Sequence, residues 1–319
     1  MKVSAPDLDA IREAARRIDR LAHRTPVTTC ATLDRLAGRR LFFKCEQLQR
    51  AGAFKFRGAC NAVMSLSDAD AARGVVTHSS GNHAGALALA AKLRGIAAHV
   101  VMPRTASPVK KRAVEEYGGR IVECEPTQEA RESTAARLLA ETGGTLVPPY
   151  DHPDVIAGQG TAALELLEQA RELDAIVAPV GGGGLVSGIC VAAHGLSPGI
   201  LVFGAEPLEA DDAARSKRAG RLVPHTGPPK TIADGLLTSL GDLTWPIVRD
   251  QVERVVTVTE EEIVAAMRLL WERAKLLVEP SSAVALAAVL GDEFRALPGL
   301  SRVGIVLSGG NVDLDRLPW

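Results

Sequence analysis

Lys55 stands between two aromatic residues in Gly52-Ala53-Phe54-Lys55-Phe56-Arg57-Gly58-Ala59. An apolar, crowded setting disfavours the ammonium form, so the amine becomes a usable nucleophile for a Schiff base with a carbonyl compound. A lysine beside aromatics can equally be a surface residue whose stem lies along apolar neighbours. Gly181-Gly182-Gly183-Gly184, ahead of Leu185, lie between an apolar run and a helical one. Consecutive glycines at a helix N-terminus leave N–H groups free to point inward, and a phosphate is the natural guest. A tight strand-to-helix turn would use the same residues. The common nucleotide loops do not fit: Val186 stands where a dinucleotide fingerprint needs its third glycine, and no lysine directly follows a glycine.

Two more loops are rich in Gly, Ser and Asn: Ser79-Ser80-Gly81-Asn82-His83 and Ser308-Gly309-Gly310-Asn311. Glu206, Ala210 and Asp212 fall at another turn, where two carboxylates and a backbone carbonyl would make a hard-oxygen site for magnesium or calcium. Acidic residues also favour helix N-termini for electrostatic reasons alone.

The elements that must position these residues alternate. Strand-length apolar runs are expected at Leu41 to Cys45, Gly74 to His78, Ala97 to Met102, Arg120 to Glu123, Ala175 to Val180, Leu201 to Ala205 and Arg302 to Leu307. Helical patterns occupy Asn82 to Leu93, Pro108 to Tyr117, Glu129 to Leu139, Thr161 to Ala170, Glu261 to Lys275 and Ala283 to Leu290. Ser107-Pro108 and the Thr259/Glu262 capping box mark helix starts. Arg221 to Lys230, rich in proline, reads as a surface loop. Alternation of this kind specifies an α/β fold with open, mostly parallel, twisted sheets and helices on both faces. Ligands of such sheets sit at the carboxyl ends of the strands, where the three loops fall.

Composition narrows the function. The 319 residues suit a two-domain enzyme. A formal net charge of -1 creates no field to recruit nucleic acid or an anionic membrane, so small molecules are the expected partners. No apolar run approaches the roughly 20 residues of a membrane span, and the N-terminus lacks a signal-peptide core. Five cysteines without a Cys-x-x-Cys pair point to neither a disulfide framework nor a zinc site. A cytoplasmic location is expected.

In order and spacing, these segments together resemble the tryptophan-synthase-like (fold type II) pyridoxal-phosphate enzymes, within them the serine racemase and serine/threonine dehydratase group. The matching residues are Lys55 in Phe-Lys-x-Arg-Gly-Ala, Ser79 to His83, Gln159-Gly160-Thr161, Gly181 to Leu185, Thr231-Ile232-Ala233-Asp234-Gly235, Glu279-Pro280 and Ser308 to Asn311. The resemblance implies pyridoxal phosphate held by Lys55 as its Schiff-base lysine. Phe54 then packs on the pyridine ring, Asn82 faces its phenolic oxygen, Gly181 to Gly184 with the Leu185 amide cradle its phosphate, and Ser308 faces its ring nitrogen. Ser79, Ser80, Gly81, Asn82 and His83 would bind the substrate carboxylate. Ser80, where plain threonine dehydratases often have alanine, is similar to the racemase proton donor opposite Lys55. Arg131 matches an arginine that can approach an acidic substrate. Glu206, Ala210 and Asp212 match the site of the metal-activated racemases, for magnesium or else calcium or manganese.

The implied activity is dehydration of L-serine or L-threonine to a keto acid and ammonia by α-proton abstraction and β-elimination, with serine racemase activity beside it. The alternatives are a threo-3-hydroxy-L-aspartate ammonia-lyase or a chain that is primarily a serine racemase; Ala53 and Pro149-Tyr150-Asp151-His152 resemble microbial serine racemases, some of which also dehydrate threo-3-hydroxyaspartate. Cysteine-synthase-type β-replacement fits the serine loops less well, and a non-catalytic binder using the glycine loop alone is the rival from another class. The expected architecture is a large cofactor domain (1–70 and 151–319) and a smaller mobile one (71–150) around an interdomain active-site cleft, in a homodimer.

Overall fold

The structure, a computed structural model, describes residues 4–79 and 81–319. Among the described residues ten strands form: β1 Val27–Thr28, β2 Arg40–Cys45, β3 Val75–His78, β4 Ala98–Pro103, β5 Arg120–Cys124, β6 Thr145–Leu146, β7 Ala175–Pro179, β8 Leu201–Pro207, β9 Arg254–Val258 and β10 Arg302–Leu307. They make two sheets, a six-stranded one ordered β1-β2-β10-β7-β8-β9 and a four-stranded one ordered β5-β4-β3-β6. Among these described strands only β1 runs antiparallel to its neighbour.

Alternation along β7 divides the large core. Ala175 and Val177 join the apolar cluster on one face, with Val303, Ile305 and Leu307 of β10. Ile176 and Ala178 join the cluster on the other, with Val306. All four β7 residues are fully buried, as a strand covered by helices on both sides requires.

Strand order locates the site. From β7 the chain proceeds outward through β8 and β9, then returns to place β10 on β7's other side. From β3 it proceeds through β4 and β5, then returns to place β6 on β3's other side. Crevices open at such reversals. The loops after β7, β10, β3 and β6 contain the glycine turn, Ser308, Ser79 and Pro149 respectively.

Three helices bring these loops together by close approach of glycines. A Cβ on Gly158 of helix Pro153–Gln169 would come within 2.6 Å of Gly58 Cα on helix Lys55–Ser65. On Gly188 of helix Gly184–Leu196 it would come within 2.5 Å of Gly160 N. The Gln159-Gly160-Thr161 motif therefore serves packing. Gln159 accepts from Gly58 N at 3.1 Å, and Thr161 accepts from Arg57 Nη1 at 3.1 Å.

Several expectations need correction. The helix expected from Thr161 begins at Pro153, capped by the His152 side chain; tight packing outweighs the helix cost of Gly158 and Gly160. The run from Glu261 is α-helical over Glu260–Leu269 and then a π turn over Leu270–Ala274, ending where Lys275 takes a φ of 59°. Strands β1, β6 and β9 join the expected seven. The capping box at Thr259 and Glu262 forms as expected.

Candidate active site

Lys55 opens its helix, and its Nζ donates to Pro149 O at 2.7 Å, 5.2 Å from the centroid of the Phe54 ring. Burial lowers its pKa to about 8, with the Glu279 carboxyl pulling the other way.

Behind the lysine, two residues further on and so on the other side of the helix, Arg57 is buried in a charge network. Its Nε and Nη2 donate to the two oxygens of Glu46 at 2.7 and 2.8 Å, and its Nη1 and Nη2 to those of Glu165 at 2.7 and 2.9 Å. Lys44, fully buried, donates to the same Glu165 at 2.5 Å. Bidentate pairing on both edges fixes the guanidinium plane, and with it the start of the helix that carries Lys55.

The glycine turn is buried throughout. Protein atoms fill every Cβ position: Leu236 Cα within 3.0 Å at Gly181, the Tyr150 ring within 2.4 Å at Gly182, Leu240 and Thr244 within 2.9 Å at Gly183, and Tyr150 Cβ within 2.9 Å at Gly184. Gly183 also has a φ of +84°. Glycine is thus required here by neighbours, and what stays available is the amide side. The N–H groups of Gly181, Gly182, Gly183, Gly184 and Leu185 donate to no described protein group. A run of buried, unpaired amides at a helix N-terminus is an anion cradle.

Asn82 begins the helix Asn82–Arg94 after β3. Its Nδ2 donates to Glu279 Oε1 at 2.8 Å, and its Oδ1 accepts from Asn311 Nδ2 at 2.9 Å. Glu279 Oε2 accepts from Asn311 N at 3.1 Å. Burial, then repulsion from Asp234, raises the Glu279 pKa to about 8. Glu279 was legible as part of the Glu279-Pro280 match, but nothing in its neighbours along the chain assigns it this task.

The other expected residues divide. Ser308 is almost wholly buried; its carbonyl accepts from Phe54 N at 2.9 Å, while its hydroxyl pairs with no described group. Ser79 Oγ accepts from Gly81 N at 3.4 Å. The His83 imidazole turns to Val147 O, with Nε2 2.9 Å from it and a buried Nδ1 that meets no described partner, and burial pushes its pKa down to about 3. Ser80 lies outside the described residues. Arg131, on helix Gln128–Thr142, is half-buried with a buried Nε that meets no described partner. It lies near enough to His78 to add to the lowering of that pKa by burial.

Glu206 and Asp212 are fully buried neighbours. Glu206 accepts from the amides of Ala213 and Ala214 at 3.2 and 3.0 Å, and Asp212 Oδ2 from Leu240 N at 2.9 Å. Asp212 Oδ1 has no hydrogen bond from any described group, with His225 Nε2 3.0 Å away but poorly aligned. Burial raises both pKa values, that of Asp212 to about 6, and repulsion from Asp212 lifts Glu206 further. Among the described residues no cluster of three or more His, Cys, Asp or Glu side chains is placed to hold a metal. A cation here would complete its shell with backbone carbonyls, Ala210 among them, and water.

Comparison with known proteins bears on this chemistry. Residues 18–309 match the family described as pyridoxal-phosphate dependent enzyme. The chain is 55% identical to a serine racemase of Arabidopsis thaliana, covering 98% of this chain and 95% of that one. It is 53% identical to a beta-hydroxyaspartate dehydratase of Paracoccus denitrificans, over 98% and 99%. The solved structure of maize serine racemase superposes with a TM-score of 0.96 at 51% identity, covering 98% and 95%. The residues present suit the family's cofactor, since unpaired amides in the glycine turn suit its phosphate and the Lys55 amine suits its aldehyde. Family match, fold and site chemistry agree, and the chain belongs to the pyridoxal-phosphate-dependent enzymes.

Proposed function

We propose that this enzyme is an ammonia-lyase for a small hydroxy-amino acid, serine or threonine, with serine racemase activity beside it. The observation that carries the reading is the Lys55 amine, tuned by burial to about 8 and held against Pro149 O. Bound pyridoxal phosphate supplies an electron sink that acidifies the α-proton of an attached amino acid. Lys55 Nζ would remove that proton, and amides of Gly181 to Leu185 would hold the phosphate. Phe54 would pack on the ring, Asn82 would face the phenolic oxygen, and Ser308 Oγ the ring nitrogen. A hydroxyl there cannot keep that nitrogen protonated as a carboxylate would, which favours prompt loss of the β-hydroxyl. Ser79, Gly81, Asn82 and His83 would bind the substrate carboxylate through hydroxyl and amide donors. Ser80 would deliver a proton to the opposite face, which racemisation needs and elimination does not.

A second reading, dehydration of 3-hydroxyaspartate, draws support from the unpaired buried Nε of Arg131, which suits a second carboxylate. The name of the Paracoccus relative supports it too. Magnesium at Glu206, Ala210 and Asp212 completes the proposal, with calcium or manganese as substitutes. So do closure of residues 71–150 on the remainder, homodimerisation and a cytoplasmic location. The five free cysteines, four of them buried, support a reducing compartment.

The test is a panel of serine, threonine and 3-hydroxyaspartate, following keto acid and enantiomer together. Lys55→Ala is expected to abolish turnover, and retained ammonia release would end the assignment. Ser80→Ala should suppress racemisation while sparing elimination; equal loss of both would remove the two-face role.

A further inference from the structure

We propose that Thr244 is a positioning residue that aims the glycine turn at its anion. The inference rests on the reading of Gly181 to Leu185 as the phosphate cradle. Thr244 is fully buried at the start of helix Thr244–Gln251. Its Oγ1 donates to Gly182 O at 2.9 Å, with Gly241 O a longer alternative at 3.3 Å, and accepts from Gly241 N at 2.9 Å. The hydroxyl proton therefore goes to the glycine turn.

The consequence follows from peptide geometry. A trans peptide is planar, so the Gly182 C=O and the Gly183 N–H point in opposite directions. Holding that carbonyl against Thr244 sends the Gly183 N–H to the far side. The near side is already filled, because a Cβ on Gly183 would meet Leu240 Cδ2 at 2.7 Å and Thr244 Cβ at 2.9 Å. With a φ of +84° Gly183 can follow this peptide orientation without strain.

Thr244 is itself anchored, as its N and that of Leu243 donate to Asp151 Oδ1 at 3.1 and 3.0 Å. An ordinary helix cap does not explain the hydroxyl. The capping position is Leu243, without a side-chain bond, and Thr244 Oγ1 accepts from upstream while donating to a different element.

The test uses the full chain freed of cofactor and titrated with pyridoxal phosphate and with pyridoxal, which lacks the phosphate. Thr244→Val keeps shape and removes the hydroxyl. It is expected to weaken pyridoxal phosphate about tenfold, leaving pyridoxal affinity unchanged, and Thr244→Ser should restore native affinity. Equal weakening of both compounds, or of neither, would overturn the role of Thr244. If the native protein binds both compounds equally well, the phosphate reading of the turn fails first and takes the inference with it.

Discussion

Glu279 Oε1 accepts a hydrogen bond from Asn82 Nδ2 at 2.8 Å, tying the segment before helix Pro280–Leu290 to the helix that follows β3. With Asn311 holding the Asn82 Oδ1, both ends of that amide are oriented, and one Nδ2 proton is left to face a ligand. Glu279→Ala would leave Asn82 and the Asn311 amide short of an acceptor, a cost of about 1–3 kcal/mol. The expected outcome is a kcat/KM lower by roughly tenfold to a hundredfold and a shifted cofactor absorbance band. An unchanged band would show that the pair does not position the amide.

A lysine pKa of about 8 has a direct kinetic consequence. The nucleophile is the neutral amine, so capture of added pyridoxal phosphate by cofactor-free protein should accelerate with pH and level off above about pH 8. A lysine left near its ordinary value would keep gaining through about pH 10. Stopped-flow absorbance over that range separates the two profiles.

Arg57→Met would strand Glu46 and Glu165, which share the guanidinium, beside one remaining buried cation, Lys44. Breaking a buried pair by removing one partner costs about 3–5 kcal/mol. Denaturant unfolding should show that loss, whereas a loss below about 1 kcal/mol would mean that the network is solvated.

The magnesium binding proposed at Glu206 and Asp212 should vary with pH in a set direction. The folded-state pKa values of Asp212 and Glu206 lie above their unfolded values, that of Asp212 at about 6. The folded protein then holds protons that the unfolded chain has released, so stability from these groups is lost as pH rises from about 4 to beyond 6. A divalent cation relieves that repulsion only when the carboxyls ionise. Magnesium should therefore raise Tm more at pH 8 than at pH 6, and Glu206→Ala should remove the difference. A pH-independent shift would count against cation binding at these carboxylates.

The α/β alternation, the glycine turn and Lys55 were legible because each is a local signal. Buried strands read as apolar runs, a lysine between aromatics is visible in its neighbours, and consecutive glycines mark where backbone must come close. β1 and β6 span two residues each, too short for any periodicity, and Gly158 and Gly160 disguised the first half of their helix. Thr244 gave no signal at all, since its partner Gly182 lies 62 positions away.

Sequence by itself determined the class of fold, the family resemblance and the chemical candidates, because side-chain type and spacing reach that far. Tertiary structure alone decided which of them face one another: Glu279 against Asn82, Thr244 against Gly182, Arg57 between Glu46 and Glu165. The physical reason is that hydrogen bonds and desolvation act through space over a few ångströms. Their partners are chosen when strands β10 and β6 return beside β7 and β3.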